Sequence, residues 1–172
     1  MNVNEKLLRE KVDPYLTKEN REDFWLPGFD KAMVDVKQKH HVEQEFIDRI
    51  EKIRSEFPRL LKINKKSTLT HYDIGNVMLN IEDNMPKVTG FIDVQGYWAD
   101  YARELSFMEM FGLADKYFYE IYTQYHELVE GFEISKSLYN LKMNLKHINM
   151  YPDQSWYRIG ARKCFQIIEK AL

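Results

Sequence analysis

The sequence predicts a mainly α-helical fold of the α+β class with one small β-hairpin. Glycine and proline are scarce, at 7 and 5 of 172 residues, so the chain lacks the turn formers that a many-stranded sheet protein needs. Apolar residues recur at helical spacing along most of the chain, and only one region combines short β-branched runs with a turn. The length and the 44% hydrophobic content predict a single domain over residues 1–172 with a sizeable core.

The first part of the chain is predicted to be helical. A short helix is expected over residues 4–12, and Thr17 is a candidate cap for a second one. The stretch Leu26-Pro27-Gly28 is typical of a turn. From about Lys31 the pattern is helical again, and one apolar stripe at steps of three and four ends at Pro58. This stripe comprises Val42, Phe46, Ile50, Ile53 and Phe57.

A hairpin and four further helices are predicted after this region. Residues 67–70 favour a strand, and residues 77–79 and 87–92 flank a turn-like stretch over residues 82–86. Helices are then expected over about residues 100–111 and 114–130, closed by Gly112 and Gly131. A third helix precedes Pro152, and a fourth runs to the C-terminus. The third carries Leu138, Leu141, Leu145 and Ile148, and the fourth carries Trp156, Ile159, Ile167 and Ile168.

Charge and composition exclude several classes of function. The net charge of −2 gives no bulk attraction to nucleic acid. The chain has neither an apolar run of about 20 residues nor a secretory signal, so we expect no membrane partner. The lone Cys164 cannot form an internal disulfide and is expected to be a small core residue. These features together predict a cytoplasmic protein.

Polar residues flank the predicted hairpin in a pattern that suits phosphoryl transfer. Asp73 and Asn76 precede its first strand, and Asp93 follows its second. A hairpin returns its ends close together, so these three side chains are expected to converge at one rim. One carboxylate could orient or deprotonate a hydroxyl, while two oxygen ligands hold Mg²⁺ against the phosphates. Asp and Asn are also common turn residues, so a merely polar rim is the alternative.

Three segments resemble the aminoglycoside phosphotransferase and choline kinase family. Residues 69–79 (LTHYDIGNVML) are similar to its catalytic loop. Residues 90–93 (GFID) and 99–105 (ADYAREL) are similar to its metal-binding stretch and the helix after it. The resemblance covers about residues 67–111. It implies the C-terminal lobe of a kinase-like phosphotransferase fold, with the catalytic loop and metal-binding hairpin at about residues 67–100.

The resemblance also implies roles for individual residues. Asp73 would be the catalytic base, and Asn76 and Asp93 would bind Mg²⁺, with ATP as the phosphoryl donor. The residues that would support the loop are His71, Asp100 and Glu104. The chain departs from the family motif, since Asp73 and Asn76 are three rather than five positions apart and Tyr72 replaces a glycine. No glycine-rich loop or strand lysine precedes residue 67, so an N-terminal nucleotide-binding lobe is expected to be absent.

The acidic segment over residues 100–133, with eight acidic and two basic residues, suits the cationic acceptors common in that family. Its candidate substrate contacts are Tyr122, Glu127 and Glu130, and the alternative is that they lie on solvated helix faces. The leading hypothesis is therefore the C-terminal lobe of an ATP-dependent small-molecule kinase, incomplete alone. A separate chain carrying the N-terminal lobe, a homo-oligomer or a truncated gene would explain this. The competing hypotheses are a degenerate, non-catalytic kinase-like module that binds a partner or small ligand, and an unrelated helical protein.

Overall fold

The structure is a computed structural model that describes residues 22–39, 41–61, 68–71, 73–94 and 97–172. The helices expected over residues 4–12 and after Thr17 lie outside these ranges. The helices are α1 (Glu22–Gln38), α2 (Gln44–Leu60), α3 (Tyr101–Met110), α4 (Lys116–Tyr122), α5 (Phe132–Met150) and α6 (Ser155–Ile168), followed by a 3₁₀ turn (Glu169–Ala171). The strands are β1 (Thr68–Thr70), β2 (Val77–Glu82), β3 (Met85–Phe91) and β4 (Tyr97–Ala99). The predicted α+β class, mainly helical with a small hairpin, is confirmed. None of the described helices is long and apolar enough to span a membrane.

Helix α5 lies at the centre of the helical core and packs against α1, α3 and α6. Its predicted stripe is fully buried, because side chains at steps of three and four share one helix face. Cys164 on α6 is also buried in this core, as expected for a small apolar side chain. Burial raises the pKa of its thiol to about 12, which keeps it protonated at neutral pH.

Helix α2 buries four residues of the predicted stripe and contacts two other elements, whereas Val42 precedes the helix and is only partly buried. The Phe57 ring packs on Phe29 of α1 at 5.2 Å between centroids. At its exposed side, Arg49 donates two hydrogen bonds to Glu169 at 2.7 and 2.8 Å. The stripe does not end at Pro58, since α2 continues to the buried Leu60. Pro58 costs the helix one backbone hydrogen bond, and the burial of Leu60 outweighs this local cost.

The turn predicted at Leu26-Pro27-Gly28 is wrong, because these residues lie inside α1. Phe29 is fully buried, and this packing outweighs the local preference of proline and glycine for a turn. Gly28 instead leaves room for the side chain of Lys142, which lies close to its backbone. A Cβ atom at this position would lie 2.6 Å from Nζ of Lys142 on α5.

The strands form two antiparallel pairs. Strands β2 and β3 form the predicted hairpin. Its turn consists of Asp83 and Asn84 and is shorter than the predicted stretch over residues 82–86. Both residues have the positive φ that a tight two-residue turn requires. Strand β4 was not predicted. It pairs with β1, with Thr68 opposite Ala99, and so brings the start of α3 beside the segment that precedes the hairpin.

The helix predicted over residues 114–130 is much shorter than expected, since α4 ends at Tyr122. Thr123 and Gln124 turn their side chains back to the carbonyl oxygens of Tyr119 and Glu120, which closes the helix. The following segment is held in a non-helical conformation by a hydrogen bond from the Val129 amide to the Tyr101 hydroxyl. The apolar pattern continues to about residue 130, but this tertiary contact keeps the segment after Tyr122 from being helical.

Gly160 permits the contact between α5 and α6, and this yields a stability prediction. A Cβ atom there would lie 2.5 Å from Oδ1 of Asn144, a buried side chain that also donates to the Asn140 carbonyl. We expect Gly160→Val to lower the free energy of unfolding by about 1–3 kcal/mol, as overpacking typically does. The measurement is urea unfolding followed by circular dichroism. Gln166→Val, at an exposed α6 position, is the control for a β-branched residue, and equal losses in both variants would contradict the packing argument.

Candidate functional site

The segment that resembles a catalytic loop, residues 69–79, is attached to the start of α3. His71 directly follows β1, and its backbone N–H donates to Oε1 of Glu104 at 3.2 Å. Glu104 lies in the first turn of α3. Since β1 also pairs with β4, which leads into α3, the segment is connected to α3 both through a strand pair and through a side chain.

Asn76 and Asp93 lie at the same end of the hairpin. The hydrogen bond from the Ile92 amide to the Asn76 carbonyl, at 3.5 Å, continues the ladder one step beyond the Val77–Phe91 pair. Asp93 follows this bond and has a φ of 61°, a left-handed conformation in which Asp and Asn are over-represented among non-glycine residues. The structure thus brings two of the predicted site residues to one end of the hairpin, although 17 positions separate them in the sequence.

Asp73 lies in the short segment between β1 and β2, and its side chain is exposed, as are those of Asn76 and Asp93. Exposed carboxylate and amide oxygens are the donors that Mg²⁺ accepts, and exposure leaves room for water or phosphate oxygens. Within the described ranges, no three His, Cys, Asp or Glu side chains form a metal-binding group. The exposed oxygen donors of Asn76 and Asp93 fit an ion that keeps most of its water ligands.

Asp100 is a buried structural carboxylate. It caps α3, accepting a hydrogen bond from the Ala102 amide at 3.0 Å. Its other oxygen accepts from the hydroxyl of Tyr139, in the middle of α5, also at 3.0 Å. A charge removed from water needs such partners, so Asp100 fixes α3 to the central helix.

The imidazole of His71 lies near the Phe91 ring, with 6.3 Å between centroids in an edge-to-face arrangement. Both ring nitrogens are buried, and neither finds a hydrogen-bond partner among the described residues. The contact with Phe91 joins the loop to the base of the hairpin.

The acidic segment approaches the start of α3. The Val129 amide donates to the hydroxyl of Tyr101, the first residue of α3, at 2.9 Å. The exposed Glu127 and Glu130 lie on either side of Val129 in the sequence, so this hydrogen bond holds them near the start of α3. Burial raises the pKa of Tyr101, and the charge of Glu127 adds to that shift. Tyr122 is half-buried and stacks on Phe118 at 5.5 Å.

The basic pair formed by Arg103 on α3 and Lys142 on α5 is not predicted from the sequence. Burial lowers the pKa of Lys142 to about 7, with the charges of Arg103 and Lys146 adding to the effect. Arg103 belongs to the first turn of α3, whereas Lys142 lies on α5 and against Gly28 of α1. No local pattern could have indicated a pair brought together by three helices.

The hairpin presents an apolar face to solvent. Directly opposed residues share a face, so the Val77–Phe91, Leu79–Val88 and Ile81–Pro86 pairs lie on the same side. Their exposed fractions run from 44% at Val77 to 64% at Ile81. The other face is more polar and carries an ion pair between Glu82 and Lys87. A contiguous exposed apolar face of this kind is typical of interaction surfaces.

Comparison with models of protein families matches residues 13–170 to the family described as fructosamine kinase. No curated protein matches the chain. The resemblance stated from the sequence therefore holds at the level of kinase-like phosphotransferases. The family that matches, however, is neither the aminoglycoside phosphotransferase nor the choline kinase family.

The hydrogen bond between Tyr139 and Asp100 can be tested alone. Tyr139→Phe removes only the hydroxyl and leaves a buried carboxylate oxygen without that donor, so we expect a loss of about 1.5–3 kcal/mol in the free energy of unfolding. Thermal or urea unfolding measures it. Tyr117→Phe, at a tyrosine that is 69% exposed, is the matched control and should change stability by less than about 0.5 kcal/mol. Equal stability of the two variants would contradict the role given to Asp100.

Proposed function

The chain belongs to the fructosamine kinase family, matched over residues 13–170, and on that premise we propose that it forms the C-terminal lobe of a small-molecule kinase. The reaction would transfer the γ-phosphoryl group of ATP to a hydroxyl of a sugar amine. Besides the family, one observation supports the proposal: the Ile92–Asn76 hydrogen bond closes the open end of the hairpin, where Asn76 precedes one strand and Asp93 follows the other. Asp73 lies in the segment between β1 and β2 and would complete this rim.

In the proposed reaction the acceptor oxygen forms a bond to the γ-phosphorus while the bond from that phosphorus to the β,γ-bridging oxygen breaks. ADP leaves, and the proton of the acceptor hydroxyl passes to the carboxylate of Asp73. An exposed carboxylate can reach such a hydroxyl without rearranging the core. The support of the loop through Glu104 would keep Asp73 oriented, which is the larger part of catalysis in phosphoryl transfer.

Asn76 and Asp93 would hold Mg²⁺. The bound ion would neutralise charge on the β- and γ-phosphates. Both side chains are exposed and carry hard oxygen donors, in accord with the preference of Mg²⁺ for few carboxylates together with water and phosphate oxygens. The left-handed backbone at Asp93 suits a short polar side chain such as Asp, because most other side chains are disfavoured in this conformation.

For the acceptor, we propose that its amine is recognised by Glu127 and Glu130, with Tyr122 nearby. The support is the hydrogen bond between Val129 and Tyr101, which fastens this acidic segment to the start of α3. Carboxylates there would pair with a substrate ammonium group, and a tyrosine face would add cation–π attraction.

We further propose that a nucleotide-binding lobe covers the apolar face of the hairpin. A two-stranded hairpin is marginally stable by itself, and this one exposes six apolar residues on one face. A lobe seated on that face would bury them and would meet the nucleotide at the adjoining rim. The family assignment favours this kinase arrangement over the non-catalytic module.

Metal and nucleotide binding is tested by thermal shift. At ligand concentrations about tenfold above Kd we expect Mg·ATP to raise the wild-type Tm by about 3–5 °C. Asp93→Asn should lose most of that shift, because one metal ligand loses its charge. Asp83→Asn, at the opposite end of the same hairpin, is the matched control and should keep it. A full shift in Asp93→Asn would refute the assigned ligand.

Catalysis is tested by ADP release with 1-amino-1-deoxyfructose, choline and an aminoglycoside as acceptors. We expect Asp73→Asn to lower kcat about 10²–10⁴-fold, as loss of a general base does, without lowering Tm. The exposed Asp153→Asn is the control. Activity that survives in Asp73→Asn would show that Asp73 is not the base. Mg·ATP binding without turnover of any acceptor, measured with the nucleotide-binding lobe present, would favour the non-catalytic module.

A further inference from the structure

A groove lies along the exposed side of α4. Its volume is about 620 Å³, within the range of small-molecule sites in proteins. Two rows of side chains at steps of four line it, together with residues that precede α4. The first row is Phe118, Tyr122 and His126, the second is Tyr117, Ile121 and Tyr125, and the preceding residues are Gly112, Leu113 and Asp115. Side chains four positions apart share one helix face, so each row forms a continuous wall.

The rings of the first row pack against one another. Phe118 and Tyr122 stack with 5.5 Å between centroids, and the rings of Tyr122 and His126 are 4.9 Å apart. The turn after α4 keeps the helical spacing at this point, because the His126 amide donates to the Tyr122 carbonyl at 3.0 Å. This row is therefore a fixed wall of the groove.

The second row exposes its rings to solvent. The exposed fractions are 69% at Tyr117 and 77% at Tyr125, and Ile121 between them is 42% exposed. A tyrosine ring can pack on a ligand while its hydroxyl group stays hydrated. The two exposed tyrosines thus provide free aromatic surface on either side of an apolar side chain.

The charge of the groove favours a cation. Among the described residues that line it, Asp115 is the single carboxylate, and no lysine or arginine is present. One oxygen of Asp115 accepts from the Phe118 amide at 2.8 Å, and the side chain is exposed. The adjacent Lys116 forms an ion pair with Glu120 at 3.5 Å, so it does not leave an excess of positive charge. The acidic segment over residues 100–133 adds a negative field that repels anions.

The buried side of the same aromatic region already holds a cation. Nζ of Lys136 lies 5.0 Å from the centroid of the Tyr119 ring and pairs with Glu109 at 2.6 Å. The Tyr119 ring in turn contacts Phe118 edge-to-face at 5.5 Å. Aromatic rings and a carboxylate therefore accommodate an ammonium group inside this fold. The groove presents the same two kinds of group at the surface.

We propose that this groove binds a small organic cation of the quaternary ammonium type. Its alkyl groups pack against the rings of Tyr117 and Tyr125, and Asp115 provides the opposite charge. A quaternary ammonium group has no N–H donors, so it leaves no unpaired hydrogen bond when it contacts aromatic rings. The concave shape and the volume of the groove favour a small molecule over a flat protein surface.

This site is distinct from the proposed acceptor contacts Glu127 and Glu130, which do not line the groove. Tyr122 does line it, but as part of the packed wall. The inference therefore does not rest on phosphoryl transfer, and its test needs neither nucleotide nor metal.

The test uses ligand-observed NMR on the 172-residue protein with three compact methylated probes of different charge. Tetramethylammonium is the cation, tert-butanol the neutral control and pivalate the anionic control, at matched ionic strength. The measurement is made at pH 8, above the range in which histidine usually titrates. We expect tetramethylammonium to bind with a Kd of about 1–10 mM, and the two controls to bind at least about fivefold more weakly.

Two variants test the assigned contacts. Tyr125→Leu removes an exposed ring, and Asp115→Asn removes the charge while asparagine still caps α4. We expect each variant to weaken tetramethylammonium binding by about threefold to tenfold. The matched controls are Tyr151→Leu and Asp153→Asn, at exposed positions outside the groove, and both should keep wild-type affinity.

Three results would overturn the proposal. The first is that the wild type does not bind tetramethylammonium up to about 50 mM. The second is that tert-butanol or pivalate binds as tightly as tetramethylammonium, because the groove would then not select a cation. The third is that Tyr125→Leu and Asp115→Asn both retain wild-type affinity.

Discussion

The buried carboxylate of Asp100 is the interaction on which the arrangement of the site depends. It stands where β4 ends and α3 begins, and it accepts from both the Ala102 amide and the Tyr139 hydroxyl. One side chain thus connects the strand pair to the central helix α5. Glu104, one turn further along α3, then holds the backbone of His71. The position of the predicted catalytic segment therefore depends on α3, which Asp100 attaches to the core.

Much of the helical core could be predicted from the sequence, because its signal is local. The stripes on α2 and α5 repeat at steps of three and four, and these side chains are buried as expected. The hairpin was equally visible, and its ends carry Asn76 and Asp93. The features that were missed depend on distant partners. Strand β4 exists through pairing with β1, and Gly28 serves a contact with Lys142 on another helix.

The candidate site shows the same division between local and distant signals. Asp73, Asn76 and Asp93 could be selected from the sequence because motif spacing is local information. Tyr139 could not, since it lies 39 positions after Asp100 and resembles any other core tyrosine. The acidic segment was selected by its charge, but it was expected on a long helix. Its non-helical conformation depends on the hydrogen bond between Val129 and Tyr101. The spacing of apolar residues in the sequence does not predict such a contact.

The hairpin also has consequences for how this protein behaves in concentrated solution. Within the described ranges β2 and β3 pair only with each other, so each has one open backbone edge next to an apolar face. Such edges can recruit strands from other molecules. Three features oppose this: the register shift between Met78 and Leu79, Pro86 within β3, and the charge of Lys87. These residues therefore protect colloidal solubility for as long as the apolar face stays uncovered.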